Sequence, residues 1–208
     1  MSDGIPRWLE WAREIQALAQ TGNHYSENEY QRERYHRLAQ IAAEIIGEHT
    51  GLQSQSINTI FQDQHGYATP RVDVRGAVFQ DGKLLLVRER ADGYWTMPGG
   101  WADVGDVPSH AAEREVREEA GFRVEARKVI GVYDANRHGE LSLFHAFKIV
   151  FLCDLIDGTP ATSSETSEVA FFAQAEIPAL LSTARTNARH IQAAFAAWAD
   201  PLRPAEFD

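Results

Sequence analysis

The chain has 208 residues, 44% of them apolar and 10% aromatic, enough for one full domain and a smaller one at about 100–200 residues each. Asp and Glu total 30 against 20 Lys and Arg, a formal net charge of −10. That balance excludes a general polyanion-binding surface, so any handling of phosphate must use local positive charge or bound metal ions. One cysteine, Cys153, lies in the apolar run FKIVFLCDL. It excludes an internal disulfide and a Cys-rich metal cage and reads as a core thiol. No apolar run reaches the ~18 residues of a membrane helix. The start, MSDGIPRWLEWAREIQ, carries acids and no apolar signal-peptide segment, so a cytoplasmic protein is expected.

Trp8, Trp11, Ala12, Ile15, Leu18 and Ala19 recur at helical steps and predict a first helix, broken at Gly22 and Asn23. Ser26 with Glu29 reads as a capping box for a second helix. Its stripe runs through Tyr30, Leu38, Ile41, Ala42, Ile45 and Ile46 to a cap at Gly51. A short helix is expected over 56–64. After the loop HGYATP the period becomes two, with Val72, Val74, Gly76 and Val78 on one face of a strand. Asp81-Gly82 signals a hairpin into the strand KLLLVRER. An irregular glycine-rich stretch precedes a helix from about Pro108 to Ala120, closed by Gly121. Strands are expected at 122–133, 141–155 and 169–172, then helix over 177–198. The expected division is a helical domain at 1–66 and an α/β domain at 67–208.

The 108–120 helix carries the chemistry. Glu115, Glu118 and Glu119 stand at i, i+3 and i+4 on one face, where like charges repel unless cations neutralise them. Hard oxygen ligands at this spacing suit Mg²⁺ or Mn²⁺. Ala112, Val116 and Ala120 form an apolar row for seating the helix on a sheet. A bare ExxEE is more often a solvated acidic face, here balanced by Arg114 and Arg117. This one is not bare. Gly100, five residues, Asp106, seven residues, then Arg114-Glu115-Val116-Arg117-Glu118-Glu119-Ala120-Gly121-Phe122 resembles the Nudix box, G-x5-E-x7-R-E-U-x-E-E-x-G-U, where U is a bulky apolar residue. The single departure is Asp106 in place of Glu.

The resemblance implies a Nudix α/β/α sandwich with a mixed sheet, preceded by a small all-α domain. It implies divalent-ion binding by Glu115, Glu118 and Glu119, with the Gly100 carbonyl as a further ligand. Arg114 would pair with an acid of the box, Gly121 would close the helix, and the shorter Asp106 would bear on loop geometry more than on metal. The implied reaction is attack of water on a phosphorus of a P–O–P link, giving two phosphate-bearing products. The general base in the family comes from the box helix, such as Glu118, or from a downstream loop, here SSETSEVAFF with Glu165 and Glu168. Glu168, directly before a predicted strand, is the favoured loop candidate; an ordinary surface acid is an equal alternative. Arg75 could contact a phosphate or be solvated surface. Tyr94, Trp101, Tyr133 and Phe172 are candidates for stacking a base, although core packing is the stronger reading of each.

No HExxH or GxSxG appears, and Gly99-Gly100 lacks the Lys-Ser/Thr of a P-loop. The helical extension WLEWAREIQALAQTGNHYSENEYQRERYHRLAQIAAEI resembles that of a Nudix subgroup acting on X-linked nucleoside diphosphates, including CDP-choline and ADP-ribose pyrophosphatases. An ADP-ribose-like or CDP-choline-like substrate and a homodimer are therefore expected. The alternatives are a nucleotide-sugar or dinucleoside polyphosphate hydrolase, and a non-catalytic nucleotide sensor or RNA-binding module. Survival of all three ExxEE acids favours catalysis, and the acidic balance argues against nucleic acid.

Overall fold

The structure, a computed structural model, describes residues 6–135 and 143–208. The chain divides into two compact units. The first runs to Pro70 and, among the described residues, also takes in 143–145. It contains helices α1 (Arg7–His24), α2 (Glu29–Thr50) and α3 (Ser54–Gln62). Leu9, Ala12, Ala42, Ala43, Ile46, Ile57 and Phe61 form its core, and Phe144 packs edge-on against Phe61 at 6.0 Å.

α1 does not stop at Gly22. A Cβ there would stand 2.2 Å from the Tyr35 ring, so this glycine lets α2 approach α1. The cap of α2 also differs from the expected capping box. Asn28 accepts the Gln31 amide at 3.0 Å, whereas Ser26 is buried and donates to the Gly22 carbonyl at 2.7 Å. Gly51 ends α2 in the left-handed region, as its position predicts. The buried face of α1 is Leu9, Ala12, Gln16 and Ala19, while Trp11 and Leu18 of the expected stripe are 53% and 61% exposed.

The second unit contains strands β1 (Arg71–Gln80), β2 (Lys83–Glu89), β3 (Trp95–Thr96) and β4 (Gly99–Trp101), then helix α4 (Pro108–Ala120). It continues with β5 (Phe122–Asp134), β6 (Ala146–Gly158), β7 (Thr166–Phe172), α5 (Ala188–Ala199) and β8 (Glu206–Phe207). The sheet order is β3-β2-β1-β6-β5-β8, with β4 also on β1 and β7 also on β2. The pairs β1–β6 and β5–β8 are parallel and the others antiparallel, so the sheet is mixed. Asp81 and Gly82 take φ of 50° and 75°, the conformation that a two-residue hairpin of native twist requires.

Each face of the sheet buries an apolar layer. Val74, Val78, Leu85, Val87, Phe151 and Cys153 lie under Ala112, Val116 and Ala120 of α4. Ala77, Leu84, Leu86, Val150 and Leu152 lie under Ile191, Ala194 and Phe195 of α5. This is the expected α/β/α sandwich with a mixed sheet. Leu84 to Val87 are all fully buried because both faces of β2 are covered. Cys153 is a core thiol, and burial pushes its pKa up to about 12.

Several element boundaries differ from expectation, α3 among them at Ser54–Gln62 in place of 56–64. β6 begins at Ala146; Leu141 and Ser142 of the predicted strand lie outside the described residues. β7 begins at Thr166, so Glu168 lies inside a strand. The helix expected over 177–198 begins only at Ala188, because Asn187 accepts the His190 amide while His190 accepts the Asn187 amide, a capping box. Among the described residues no helix is long and apolar enough to cross a membrane.

Candidate active site

α4 opens with Pro108 in its first turn and closes at Gly121, which has φ 80°. A Cβ on Gly121 would stand 2.6 Å from the Thr159 carbonyl, so only glycine fits this cap. With the apolar row of α4 held on the sheet, its acidic face is directed toward the β3–β4 turn and the loop before the helix. Arg114 is the centre of this face. Its Nη1 donates to Glu115 Oε1 at 2.8 Å and to Glu118 Oε2 at 3.4 Å, and its Nη2 donates to Asp106 Oδ2 at 3.2 Å. The shorter Asp106 therefore still reaches the arginine. The same oxygen accepts the Asp103 amide at 3.0 Å, which together with Arg114 holds its pKa down.

Glu119 points the other way. It is 6% exposed, and its Oε2 accepts the Gly99 amide at 2.9 Å. Burial is the main reason its pKa is pushed up to about 7; the Gly99 amide and the Arg75 charge act against that rise, and Glu89 adds to it. Burial also raises Glu115, with the Arg114 charge opposing. Gly99 and Gly100 let the backbone come this close. Gly99 has φ 146°, and a Cβ on it would fall 2.0 Å from the Val74 carbonyl. A Cβ on Gly100 would stand 3.2 Å from Glu115 Oε2. The structure thus brings together Gly100, Asp106, Arg114, Glu115, Glu118 and Glu119. Among the described residues no three His, Cys, Asp or Glu side chains form a ready metal cage. Arg114 draws Glu115 and Glu118 toward itself while Glu119 is turned to Gly99.

The remaining candidates are spread around this centre. Arg75 is not solvated surface. It is 3% exposed, and its Nε and Nη2 donate to Asp73 at 2.9 and 2.7 Å. Strand alternation suggested an open face at Arg75, but α5 covers that side of the sheet. Tyr94 and Trp101 are exposed, the latter with the Arg71 guanidinium 5.8 Å from its ring. Tyr133 and Phe172 belong to the α5-side core. Glu168 pairs with Arg88 at 2.5 Å, opposite it in the β2–β7 register. Arg88 in turn faces Trp95, which packs in the α5-side core. Glu168 therefore lies on the sheet face away from α4. Glu165 adjoins Thr166, whose hydroxyl donates to the Glu119 carbonyl at 2.8 Å.

Sequence reasoning missed a buried polar group beneath the β3–β4 turn. Lys148 Nζ donates to Asp73 Oδ1 at 2.9 Å, and Thr96 and Thr186 share a hydroxyl contact of 2.8 Å. Glu89 is buried within 3.6 Å of Arg185 Nε. These residues come from separate strands and a loop, so no spacing in the chain signals them.

The match to known proteins follows this geometry. Residues 69–198 match the NUDIX domain, and residues 6–61 match the Nudix N-terminal domain described as a UDP-X-like, N-terminal oligomerisation domain. The chain belongs to the Nudix family. Within it, the chain is a Nudix pyrophosphohydrolase that carries the N-terminal helical domain of the UDP-X-like group. YjhB of Bacillus subtilis (strain 168), provisionally named an ADP-ribose pyrophosphatase, is 37% identical over 175 residues, 84% of either chain. The crystal structure of an ADP-ribose pyrophosphatase from Streptococcus suis 89-1591 gives a TM-score of 0.62 at 34% identity, covering 67% of this chain and 100% of that one. The crystal structure of UDP-X diphosphatase gives 0.62 at 29% identity over 97% of this chain and 98% of that one.

Proposed function

We propose that this protein hydrolyses the pyrophosphate link of a nucleoside diphosphate joined to X, with Mg²⁺ or Mn²⁺ held by Glu115, Glu118, Glu119 and the Gly100 carbonyl. The observation that carries the reading is the approach of Glu115 and Glu119 to the Gly99–Gly100 turn, with Glu118 tied to Glu115 through Arg114. The donor set fits a hard dication: all ligands are oxygens, and the missing Cβ of Gly100 leaves room beside Glu115. Such an ion, when bound, neutralises the carboxylates, polarises phosphoryl oxygens and lowers the pKa of a coordinated water. Arg114 then has to share Glu115 and Glu118 with the incoming charge while Asp106 retains it. Glu119 is kept in place by the Gly99 amide.

In the reaction, water adds to one phosphorus, the bridging P–O bond breaks, and each product leaves with a phosphate. The proton of the water goes to a carboxylate. Glu118 is the more exposed acid of the box, and Glu165 sits beside the C-terminal end of α4, so these two are favoured over Glu168. ADP-ribose leads as substrate, supported by the names of two of the relatives above, with UDP- and CDP-linked compounds next. The N-terminal domain supports a homodimer, since Trp11 and Leu18, seven residues apart on α1, present one exposed apolar face.

The test is a panel of ADP-ribose, CDP-choline, NADH, UDP-glucose and dATP with Mg²⁺ or Mn²⁺, followed by released monophosphate. Turnover of ADP-ribose that disappears with EDTA is expected. No turnover of any compound would overturn the reading. Light scattering of eluted protein tests the dimer, and a species of 23.3 kDa alone would count against it.

A further inference from the structure

An arginine, a lysine and two threonines in the layer below the β3–β4 turn are costly to desolvate and are kept only with partners. Their contacts converge on the backbone of one residue. Met97 donates its amide to Thr186 Oγ1 at 3.1 Å, and its carbonyl accepts Arg75 Nη1 at 3.2 Å and Thr96 Oγ1 at 3.1 Å. Arg75 is fixed by its two bonds to Asp73, which Lys148 also holds. Thr186 is fixed by its amide on the Ser182 carbonyl at 2.6 Å, and Ser182 donates its own amide to the Trp95 carbonyl at 2.9 Å. Two residues beyond Met97, the Gly99 amide meets Glu119 and Gly100 faces Glu115.

We propose that Thr186 and Arg75 are positioning residues that clamp the Met97 backbone, one at its amide and the other at its carbonyl, and so set where Gly99 and Gly100 meet the carboxylates of α4. The inference rests on the metal-binding reading above and deepens it. Neither residue touches substrate or ion. Both act through a turn whose displacement by a fraction of an ångström alters the ligand geometry. Thr186 lies outside the box, in a loop that no spacing rule singles out.

The experiment compares the full-length protein with Thr186→Val, Thr186→Ser and Arg75→Lys. Mn²⁺ binding is measured without substrate, from the free-ion electron paramagnetic resonance signal, with a melting curve for each protein. Removing the hydroxyl leaves the Met97 amide buried and unpaired, and is expected to weaken Mn²⁺ binding by about tenfold. Thr186→Ser keeps the hydroxyl and should bind within about twofold of the unaltered protein. Arg75→Lys loses the forked hold on Asp73 and should again weaken binding. With the best substrate of the panel, Thr186→Val should lower kcat and leave KM nearly unchanged once Mn²⁺ saturates. A folded Thr186→Val that binds Mn²⁺ as tightly as the unaltered protein would overturn the proposal, as would equal damage from Thr186→Ser. If Thr186→Val does not fold, unchanged Mn²⁺ affinity in Arg75→Lys would overturn it. Failure of the unaltered protein to bind Mn²⁺ would instead overturn the metal reading from which the proposal starts.

Discussion

Glu119→Gln separates what this carboxylate costs the fold from what it contributes to activity. Burial raises the pKa of Glu119 from the ordinary 4.5 to about 7. Below pH 4.5 the folded and unfolded chains both carry the proton. Between 4.5 and 7 the unfolded chain has lost it and the folded chain keeps it, so stability falls as pH rises through that window. A separation of about 2.5 units at ~1.36 kcal/mol each sets a ceiling of about 3 kcal/mol on the cost at pH 8. Gln can still accept the Gly99 amide through its side-chain oxygen, but it never ionises. In EDTA, Glu119→Gln should match the unaltered protein near pH 4.5 and melt about 5–10 °C higher at pH 8. The assay is a set of thermal melts from pH 4.5 to 8.5. Added Mn²⁺ should stabilise the unaltered protein far more than the variant, and the variant should lose most of its metal-dependent turnover. A melting difference that does not grow with pH would refute the claim that Glu119 is strained by burial and stored for a cation.

Glu118 is exposed, so Glu118→Gln should leave the melting temperature within about 2 °C while abolishing most turnover. Glu165→Gln should slow the reaction more than Glu168→Gln, because Glu168 lies on the far face of the sheet. The reverse order in kcat would restore Glu168 as the base. Gly99→Ala must place a Cβ where the Val74 carbonyl stands, and should cost about 3 kcal/mol or more by denaturant titration. His190 is buried, and desolvation chiefly drives its pKa from 6.5 to about 3. Its contribution is complete above pH 6.5 and is lost as pH falls toward 3, because the unfolded chain takes up the proton first. His190→Gln, which can keep the capping box, should flatten the acid limb of the stability profile.

The box helix was legible because its evidence is local. The repeat of Ala112, Val116 and Ala120, the acids between them and the terminal Gly121 all lie within one helix and its cap. The Asp81-Gly82 hairpin was legible for the same reason. Gly22 misled because a glycine inside a helix looks like a stop until Tyr35 is seen against it. Arg75 misled because alternation tells which residues share a face of a strand, not whether that face is covered. The clamp on Met97 was invisible: Asp73, Thr96, Lys148 and Thr186 are far apart in the chain, and they meet only through the pairing of β1 with β6 and the Ser182–Trp95 contact beside β3. Leu143–His145 is a similar case, since nothing in its composition says that it joins the helical unit rather than the sheet.

The burial of β2 on both faces has a consequence for how such an enzyme diversifies. From Leu84 to Val87 every side chain is spent on the two core layers, and none is open to a ligand. The strand can reach solvent chemistry only at its ends, at Lys83 and Arg88, and through the turn to Tyr94. Changes of substrate that act through this strand are therefore confined to its ends and to the loop that follows it. A randomised library aimed at a new X would waste its diversity on residues 84–87 and should be concentrated on 88–94 and 101–107 instead.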